Sequence, residues 1–177
     1  MPVGPRLRAH PLSAPLRVVL VEPEIPPNTG AAARTCAATG SSLHLVGPLG
    51  FRVDERAVRR AGLDYWPLVD VHRHDDLPSF EAAFPGARLH LFAAGGTRSY
   101  LDAEARPGDA LVFGKESVGL GPELLAAYPE RVYAIPTLGP VRSLNLSNAV
   151  AIVLFEQLRR LGALAAPFMA DDALRRS

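Results

Sequence analysis

The sequence has a single cysteine, Cys36, among its 177 residues. A lone cysteine excludes an internal disulfide and any zinc site built from several cysteines. Long apolar runs are also absent: the one at residues 16–21 is interrupted by Arg17 and falls far short of the about 20 residues that cross a bilayer. Four prolines within residues 1–15 break up any signal-peptide core. These absences indicate a cytoplasmic domain that is not membrane-bound and needs no metal.

Neither sign of charge is in excess, since the net charge is +1. Whole-chain electrostatics therefore neither requires nor excludes RNA as a partner. Lysine is nearly absent: Lys115 is the only one, and the other 18 of the 19 basic residues are arginines. Arginine suits phosphate and carboxylate recognition because its planar fork binds in two places, although an arginine-rich genome composition gives the same count.

Several familiar catalytic motifs are missing. The sequence contains no Gly-x-Ser-x-Gly elbow and no His-Glu-x-x-His, and its glycine loop at residues 114–121 matches neither a dinucleotide fingerprint nor a Walker A loop. His72 and His74 precede two aspartates, and we interpret them as part of a solvated loop rather than a metal site. Cys36 lies among alanines in a predicted helix, which favours a packed core position over a nucleophile.

Short apolar runs alternate with helical patterns from residue 16 onward, which predicts an α/β fold with a mostly parallel sheet and helices on both faces. The length fits one domain. We expect a flexible arm at residues 1–15, a single domain at 16–165 and a tail at 166–177. The predicted strands are 16–21, 42–46, 69–72, 88–93, 110–113 and 132–135, and the predicted helices are 29–39, 54–61, 77–84, 122–128 and 148–161.

The last predicted helix is apolar on every face between residues 149 and 155. A helix at the surface of a monomer keeps a polar stripe, so this one is either central in the core or covered by another subunit. Because so small a domain has little to hide it with, we favour a homodimer formed through helix 148–161.

Ligands bind at the carboxyl ends of strands in open parallel sheets, so the loops that follow the strands are the candidate sites. The first loop leads to Asn28, which together with Thr29 is placed to cap a helix, and to Arg34 six residues after Asn28. A capping Asn and a surface Arg would explain this pair without a site. The second loop, residues 92–97, has paired glycines that let a ligand approach the backbone.

The third loop carries a carboxylate, Glu116, among its glycines. A carboxylate disfavours a bound phosphate and suits a cationic or hydroxyl-bearing ligand. The fourth loop opens the apolar last helix, where Ser147 and Asn148 are ordinary N-caps. Capping does not explain the further polar groups of Arg142, Ser143 and Asn145, so we interpret this cluster as a site.

Three of these segments resemble the three motifs of the SPOUT-class RNA 2′-O-methyltransferases: residues 22–30 with Arg34, 113–120 and 142–149. The likeness is closest to the tRNA (cytidine(34)-2′-O)-methyltransferases, the small single-domain type that modifies the wobble nucleotide, and residues 60–65 share it. It extends over residues 16–162, with the motifs in matching order and spacing. The resemblance implies 2′-O-methylation of a tRNA ribose at position 34, a cytidine or a modified uridine.

The resemblance also implies a C-terminal trefoil knot, a homodimer and S-adenosylmethionine bound in the knot. The active-site positions that it implies are Arg34, Asn28, Glu116, Ser143 and Asn145. The cofactor-binding positions that it implies are Phe92, Ala94, Gly95, Gly114, Glu116, Gly119, Ile135, Ser143, Leu144 and Ser147. Because a guanidinium is not deprotonated in water, we expect Arg34 to orient the 2′-hydroxyl and stabilise the developing alkoxide, with a nearby phosphate as proton acceptor.

Arginines at one predicted helix are candidates for holding tRNA phosphates: Arg52, Arg56, Arg59 and Arg60. A solvated charged helix explains them equally well. Three other functions stay open: methylation of a ribosomal RNA ribose, RNA binding without catalysis on the same fold, and nucleotide binding by an unrelated α/β protein, which the lack of either phosphate-loop fingerprint disfavours. The larger relatives that act on ribosomal RNA usually carry an added RNA-binding domain, for which this chain has no room.

Overall fold

The computed structural model describes residues 5–51 and 66–170. The strands in these ranges are β1 Arg6–Arg8, β2 Arg17–Val21, β3 Ser42–Val46, β4 Val71–His74, β5 Leu89–Phe92, β6 Arg98–Ser99, β7 Ala110–Phe113, β8 Val132–Ala134 and β9 Phe168–Ala170. The α-helices are α1 Pro26–Thr39, α2 Leu77–Ala83, α3 Pro122–Ala127 and α4 Leu146–Arg160. Short 3₁₀ turns lie at Trp66–Leu68, Tyr100–Asp102 and Pro129–Arg131.

Seven of the strands form one sheet in the order β4-β3-β2-β7-β5-β8-β6, and each neighbouring pair is parallel. This confirms the predicted α/β fold with a mostly parallel sheet. The bounds of β3 and β7 are those predicted, whereas β4 begins two residues later than expected. The two-residue strand β6 was not predicted, because two residues carry no usable period.

Alternate residues of the strands supply two separate cores, one on each face of the sheet. Val18 and Leu20 of β2 pack in one core together with residues of α1 and α4. Val19 of the same strand packs in the other core, which contains Phe80 of α2 and is bordered by α3. Successive residues of a strand point to opposite faces of the sheet. A strand that is apolar at both odd and even positions therefore has packed side chains on both of its faces.

Helix α1 begins at Pro26, three residues earlier than the capping pattern indicates. Its N-cap is Ile25, which makes no side-chain capping hydrogen bond, and the prolines that follow suit the first helical positions. The expectation that Asn28 caps the helix was therefore wrong: Asn28 lies inside the first turn, 8% exposed. The helix ends as predicted at Gly40, whose φ of 67° is left-handed.

Helix α4 begins at Leu146 and has Asn145 as its N-cap. The expectation that Ser147 and Asn148 cap it was wrong; both lie in its first turn. The helix buries one face in the core and leaves Ile152 and Phe155 of the opposite face exposed. Among the helices of residues 5–51 and 66–170, none is long and apolar enough to cross a membrane.

The two ends of the described chain meet in a small antiparallel ribbon. Residues of β1 pair with β9 in the register Arg6 to Ala170 and Arg8 to Phe168. The sequence predicted a flexible arm and a tail at these places. Three-residue strands carry no local signal, and only their pairing across the fold makes them strands.

Candidate active site

The candidate site lies at the centre of the sheet, where two neighbouring strands are followed by connections that run to opposite sides. Strands β2 and β7 are neighbours, but the chain continues from β2 to β3 on one side and from β7 to β8 on the other. The loops that follow the two strands therefore diverge, and a crevice at the carboxyl edge of the sheet is the usual ligand site of such folds. The loop after β7 holds Glu116, and the loop after β2 leads into the first turn of α1, which holds Asn28.

The carboxylate of Glu116 joins the two loops. It accepts hydrogen bonds from the backbone N–H of Glu24 at 2.8 Å, the backbone N–H of Ile25 at 3.2 Å and the side-chain amide of Asn28 at 2.9 Å. The sequence pattern indicated a carboxylate open to a cationic or hydroxyl-bearing ligand. Instead, both oxygens are taken up by protein donors, because the loop after β2 folds over them.

Asn28 continues this network to the start of α4. The Asn145 side-chain amide donates to Asn28 Oδ1 at 2.9 Å. Asn145 Oδ1 accepts from the backbone N–H groups of Ser147 and Asn148 at 3.0 and 3.4 Å, which fixes the orientation of its amide. The three motifs are thus connected by one directional chain, from the N-terminus of α4 through Asn28 to the carboxylate of Glu116.

Two further pairs hold the same loops together. Lys115 Nζ lies 2.8 Å from Glu22 Oε2, and this hydrogen bond raises the pKa of Lys115. Ser117 donates to Glu24 through both its backbone N–H and its hydroxyl, each at 3.0 Å. Glu22 itself adopts a left-handed φ of 50°, a conformation that non-glycine residues avoid and that is concentrated at functional sites.

The glycine loop after β7 folds tightly back on itself. A Cβ atom on Gly114 would lie 2.1 Å from the carbonyl carbon of Gly119 and 2.3 Å from the nitrogen of Leu120. Gly119 has a φ of 76° and donates its N–H to the Lys115 carbonyl. The sequence requirement here is close backbone approach, which only glycine permits.

Arg34 and Ser143 lie on the surface near these residues. Arg34 is exposed on α1, and six helical residues place it about 9 Å along the axis and about 120° round from Asn28. Ser143 is exposed and lies two residues before Asn145. Of the five predicted catalytic residues, the structure joins Asn28, Glu116 and Asn145 by hydrogen bonds.

The loops predicted to hold a cofactor share the carboxyl edge of the sheet. Phe92 stacks on Phe113 with ring centroids 5.2 Å apart, and Ala93 donates its N–H to the Tyr133 carbonyl at 2.9 Å. Apart from Gly95 and its two chain neighbours, no atom of the residues that the structure describes lies within 4 Å of the place that a Cβ on Gly95 would occupy, so the backbone there is open. The other predicted positions follow strands of the same sheet, precede α4 or lie in its first turn: Ala94, Gly114, Gly119, Ile135, Leu144 and Ser147.

The interpretation of His72 and His74 as part of a solvated loop was wrong, since both lie in β4. His44 of β3, which the sequence analysis did not single out, stacks on His72 at 4.7 Å and contacts Nε2 of His74 through Nδ1 at 3.0 Å. Burial is the main cause that lowers the pKa of His44 to about 3, aided by the two neighbouring histidines. Among residues 5–51 and 66–170 no group of three or more His, Cys, Asp and Glu side chains is arranged to hold a metal.

The other sequence expectations have mixed outcomes. Cys36 is fully buried in the core, as predicted, and burial raises the pKa of its thiol to about 12. A thiol with so high a pKa is not a nucleophile near neutral pH. The arginines predicted to hold RNA lie outside the described residues: Arg52, Arg56, Arg59 and Arg60.

Comparison with known proteins gives a consistent family. The model of the SpoU rRNA Methylase family matches residues 15–155. The tRNA (cytidine(34)-2′-O)-methyltransferase of Escherichia coli K12 is 45% identical over 148 residues, which cover 83% of this chain and 94% of the relative.

Two solved structures resemble the fold. One, from a study of the 2-OH methylation of C/U34 on tRNA, has 49% identity and a TM-score of 0.78, and the match covers 84% of this chain and 97% of that one. The other is an AdoMet-bound rRNA methyltransferase from Sinorhizobium meliloti, with 26% identity and a TM-score of 0.71; the match covers 86% of this chain and 59% of that one.

Proposed function

The chain belongs to the SpoU rRNA methylase family, and from this premise we propose that it methylates the 2′-hydroxyl of the wobble ribose of tRNA. It is an RNA 2′-O-methyltransferase. The observation that supports tRNA as the substrate is the match to the Escherichia coli tRNA (cytidine(34)-2′-O)-methyltransferase, which extends over 94% of that relative. We expect position 34 to be a cytidine or a modified uridine.

Ribosomal RNA is the second candidate substrate, because the family description names it. The match to the rRNA methyltransferase of known structure covers 59% of that chain, whereas the match to the structure studied for C/U34 methylation covers 97%. Much of the larger enzyme therefore lies outside the match, whereas almost all of the chain studied for C/U34 methylation lies inside it. This difference in coverage favours tRNA.

The loops at the carboxyl edge suit S-adenosylmethionine, which supplies an electrophilic methyl group. The backbone beside Gly95 is open, and the stacked rings of Phe92 and Phe113 give the neighbouring strand ends an apolar base. The tight turn from Gly114 to Gly119 follows β7 at the same ends of the strands. We assign cofactor binding to these loops together with Ile135 and the 143–147 segment.

Arg34 would orient the ribose hydroxyl and stabilise the negative charge that develops on its oxygen. A guanidinium is unsuited to removing the proton itself, because its pKa exceeds about 12. It supplies fixed donors aimed at a developing oxyanion, which is an effective form of electrostatic catalysis. The proton would pass to a phosphate of the RNA.

Glu116, Asn28 and Asn145 would position the catalytic surface. Their hydrogen bonds tie the loops that follow β2 and β7 to the start of α4. Ser143, exposed just before this point, remains available to the substrate or the cofactor. A network that holds three separate segments keeps reacting groups within the small tolerance that methyl transfer requires.

We also propose the homodimer and the knot that the resemblance implies. The exposed Ile152 and Phe155 of α4 support a homodimer formed through helix 148–161. A cytoplasmic location follows from the proposed tRNA substrate.

RNA phosphates would be held by the arginines outside the described residues, namely Arg52, Arg56, Arg59 and Arg60. Neutralising them in pairs is expected to weaken tRNA binding and flatten its salt dependence, because each phosphate contact releases counterions. An unchanged salt slope would assign them to a solvated surface.

Methyl transfer to a panel of tRNAs tests the function directly. Labelled methyl from S-adenosylmethionine is followed into unmodified and naturally modified tRNAs, and the product ribose is mapped by nucleotide. Label at position 34 of a few tRNAs is expected. Label at another position would remove the wobble assignment, and transfer to ribosomal RNA alone would favour the second candidate. Cofactor binding without any transfer would favour an RNA-binding protein.

A further inference from the structure

A polar cleft of about 520 Å³ lies at the amino ends of the strands, whereas the candidate active site lies at their carboxyl ends. Arg88 and Arg131 directly precede β5 and β8, so the cleft opens at the amino ends of these strands. Four of the side chains that line it are arginines: Arg88, Arg98, Arg131 and Arg160. Strand β5 has four residues, which separates the two edges by about 13 Å.

His90 forms part of the cleft wall and is 3% exposed. Its Nε2 lies 3.0 Å from Asp109 Oδ2, whose carboxylate also accepts from Arg88 Nη2 at 2.8 Å and from the backbone N–H of Arg106 at 2.8 Å. These donors hold the pKa of Asp109 below its usual value, so the carboxylate is ionised and His90 Nε2 is the protonated nitrogen.

The other ring nitrogen of His90 has no partner. Within the part of the chain that the structure describes, Nδ1 is buried and accepts no hydrogen bond. Burial is the main cause that lowers the pKa of His90, and the charges of Arg88 and Arg131 lower it further, against the influence of Asp109. The ring is therefore neutral near pH 7 and presents an acceptor lone pair. A buried unpaired acceptor is costly unless a ligand or water satisfies it.

Positive charge in the cleft is only partly compensated. Arg88 pairs with Asp109, and Arg160 Nη2 lies 3.5 Å from Glu104 Oε1. Arg98 donates to the Glu130 carbonyl and its guanidinium lies 5.1 Å from the centre of the Tyr133 ring. Among the described residues, neither Arg98 nor Arg131 has a carboxylate partner.

One carboxylate besides Glu104 lines the cleft. Asp102 accepts a hydrogen bond from the backbone N–H of Ser99 at 3.2 Å, as part of a helix-capping box. It is therefore engaged with its own turn. The donors left over belong to Arg98 and Arg131, and planar guanidinium groups match the geometry of phosphate oxygens.

We propose that this cleft is a phosphate-binding site, in which Arg98 and Arg131 hold the phosphate oxygens and a hydroxyl or N–H of the same ligand donates to His90 Nδ1. The ligand class is a phosphorylated ribonucleoside. Two sources supply that chemistry: a phosphodiester of the RNA backbone, or a free nucleotide. The RNA source rests on the proposed function, whereas binding of a free nucleotide does not.

Histidine NMR measures occupancy of the cleft without reference to activity. The chain has five histidines. The ring nitrogens of His90 are assigned with the H90Q variant. Inorganic phosphate, AMP and an anticodon stem–loop RNA are then titrated at constant ionic strength into the full-length protein. We expect AMP to shift the Nδ1 resonance of His90 saturably and inorganic phosphate to compete with it.

Arginine variants locate the binding. R131Q and R98Q each keep an apolar stem and are expected to weaken AMP binding about 10-fold or more, the scale of a charge-assisted hydrogen bond. The matched control is R73Q, which removes one exposed arginine from β4 at the far side of the sheet and is expected to leave binding unchanged. Equal losses in R73Q and R131Q would overturn the proposal, because they would show charge attraction without a site.

The two sources are separated by competition. If the stem–loop RNA displaces AMP and itself shifts His90, the site holds the RNA backbone. If AMP binds equally well to protein saturated with RNA, the site holds a free nucleotide. Failure of phosphate, AMP and RNA alike to move the His90 resonances would overturn the proposal. If the natural protein binds AMP in the cleft but transfers no methyl group to tRNA, that result would count against the proposed function and not against the phosphate-binding site.

Discussion

Asn145 donates a side-chain hydrogen bond to Asn28 at 2.9 Å across 117 residues of sequence. Each amide is held in one orientation: Asn145 by the backbone N–H groups that open α4, and Asn28 by the carboxylate of Glu116. Asn145 is the N-cap of α4, whereas Asn28 caps no helix, so nothing local accounts for Asn28. Their pairing joins the loop after β2 to the start of α4.

Replacing Asn28 tests this network. N28A leaves the Asn145 amide and the Glu116 carboxylate without a shared partner, and we expect a loss of about 1–3 kcal/mol in the free energy of unfolding. Methyl transfer should fall at least about 10-fold, because the loops lose their register. Urea unfolding and methyl transfer measure the two effects. T35A changes another polar residue of α1 and serves as the control; equal behaviour of N28A and T35A would contradict the network.

Gly114 is expected to tolerate no side chain. In G114A the new Cβ meets backbone atoms of Gly119 and Leu120 at 2.1 and 2.3 Å, and backbone cannot move aside as a flexible side chain does. We expect destabilisation of about 3 kcal/mol or more, or failure to fold. G121A is the matched control, since no atom lies within 4 Å of its new Cβ, and it should cost less than about 1 kcal/mol. Thermal and urea unfolding compare the two, and a stable G114A would show that the loop is not close-packed.

Arg34 can be tested with a substitution that keeps its charge. R34K replaces a planar fork by a point charge, and we expect turnover to fall at least about 10-fold with little change in the affinities for RNA and cofactor. R73K provides the same chemical change at an exposed arginine of β4. Near-full turnover of R34K with unchanged affinities would rule out the orienting role.

Stability is expected to fall with acid because of His44. Its pKa is about 3 in the folded protein against 6.5 ordinarily, so between these values the unfolded chain binds a proton that the folded one does not. Lowering the pH from 8 to 5 should therefore cost about 2 kcal/mol through this residue, and most of that loss should come below pH 6.5.

The variant H44Q removes that contribution. The free energy of unfolding of H44Q should fall about 2 kcal/mol less between pH 8 and 5 than that of the natural sequence, whatever its stability at pH 8. H10Q, at an exposed position, should keep the natural slope. Urea unfolding at fixed protein concentration gives both slopes, and identical slopes for H44Q and the natural protein would refute the assignment.

The exposed face of α4 predicts the state of assembly. With Phe155 46% exposed beside Ile152, F155E should disrupt a dimer because it buries a charge in an apolar interface. Sedimentation equilibrium should show twice the 18.9 kDa chain mass for the natural protein and the mass of one chain for F155E. L68E alters another exposed apolar residue and should leave the mass unchanged. A monomeric natural protein would refute the interface.

Local sequence patterns predicted most of the sheet and its helices. The bounds of β3 and β7 were predicted correctly, and Gly40 and Pro122 mark a helix end and a helix start as expected. These features depend on neighbours in sequence: apolar runs, a left-handed terminus and a fixed φ. The β1–β9 ribbon was not predicted, since its strands become strands only by pairing with each other.

The sequence indicated which residues are candidates for the site better than it indicated which residues they contact. The motifs singled out Glu116 as part of the site, but not the three donors that occupy it. Likewise His72 and His74 were visible as a pair, whereas their stacking with His44 depends on the register of β3 against β4. Register between strands is set by packing over the whole sheet, which no short window of sequence contains.

The sequence by itself determined the fold class, the family and the three loops of the candidate site, because each depends on local periodicity and on motifs of fixed spacing. The tertiary structure decided which of those residues touch. Asn28, Glu116 and Asn145 come from distant parts of the chain and meet where the loops after β2 and β7 diverge and α4 begins. The cleft around His90 arises in the same way, from strand ends brought together by a parallel sheet. Hydrogen bonds are satisfied in space, and their partners are fixed only when the chain has folded.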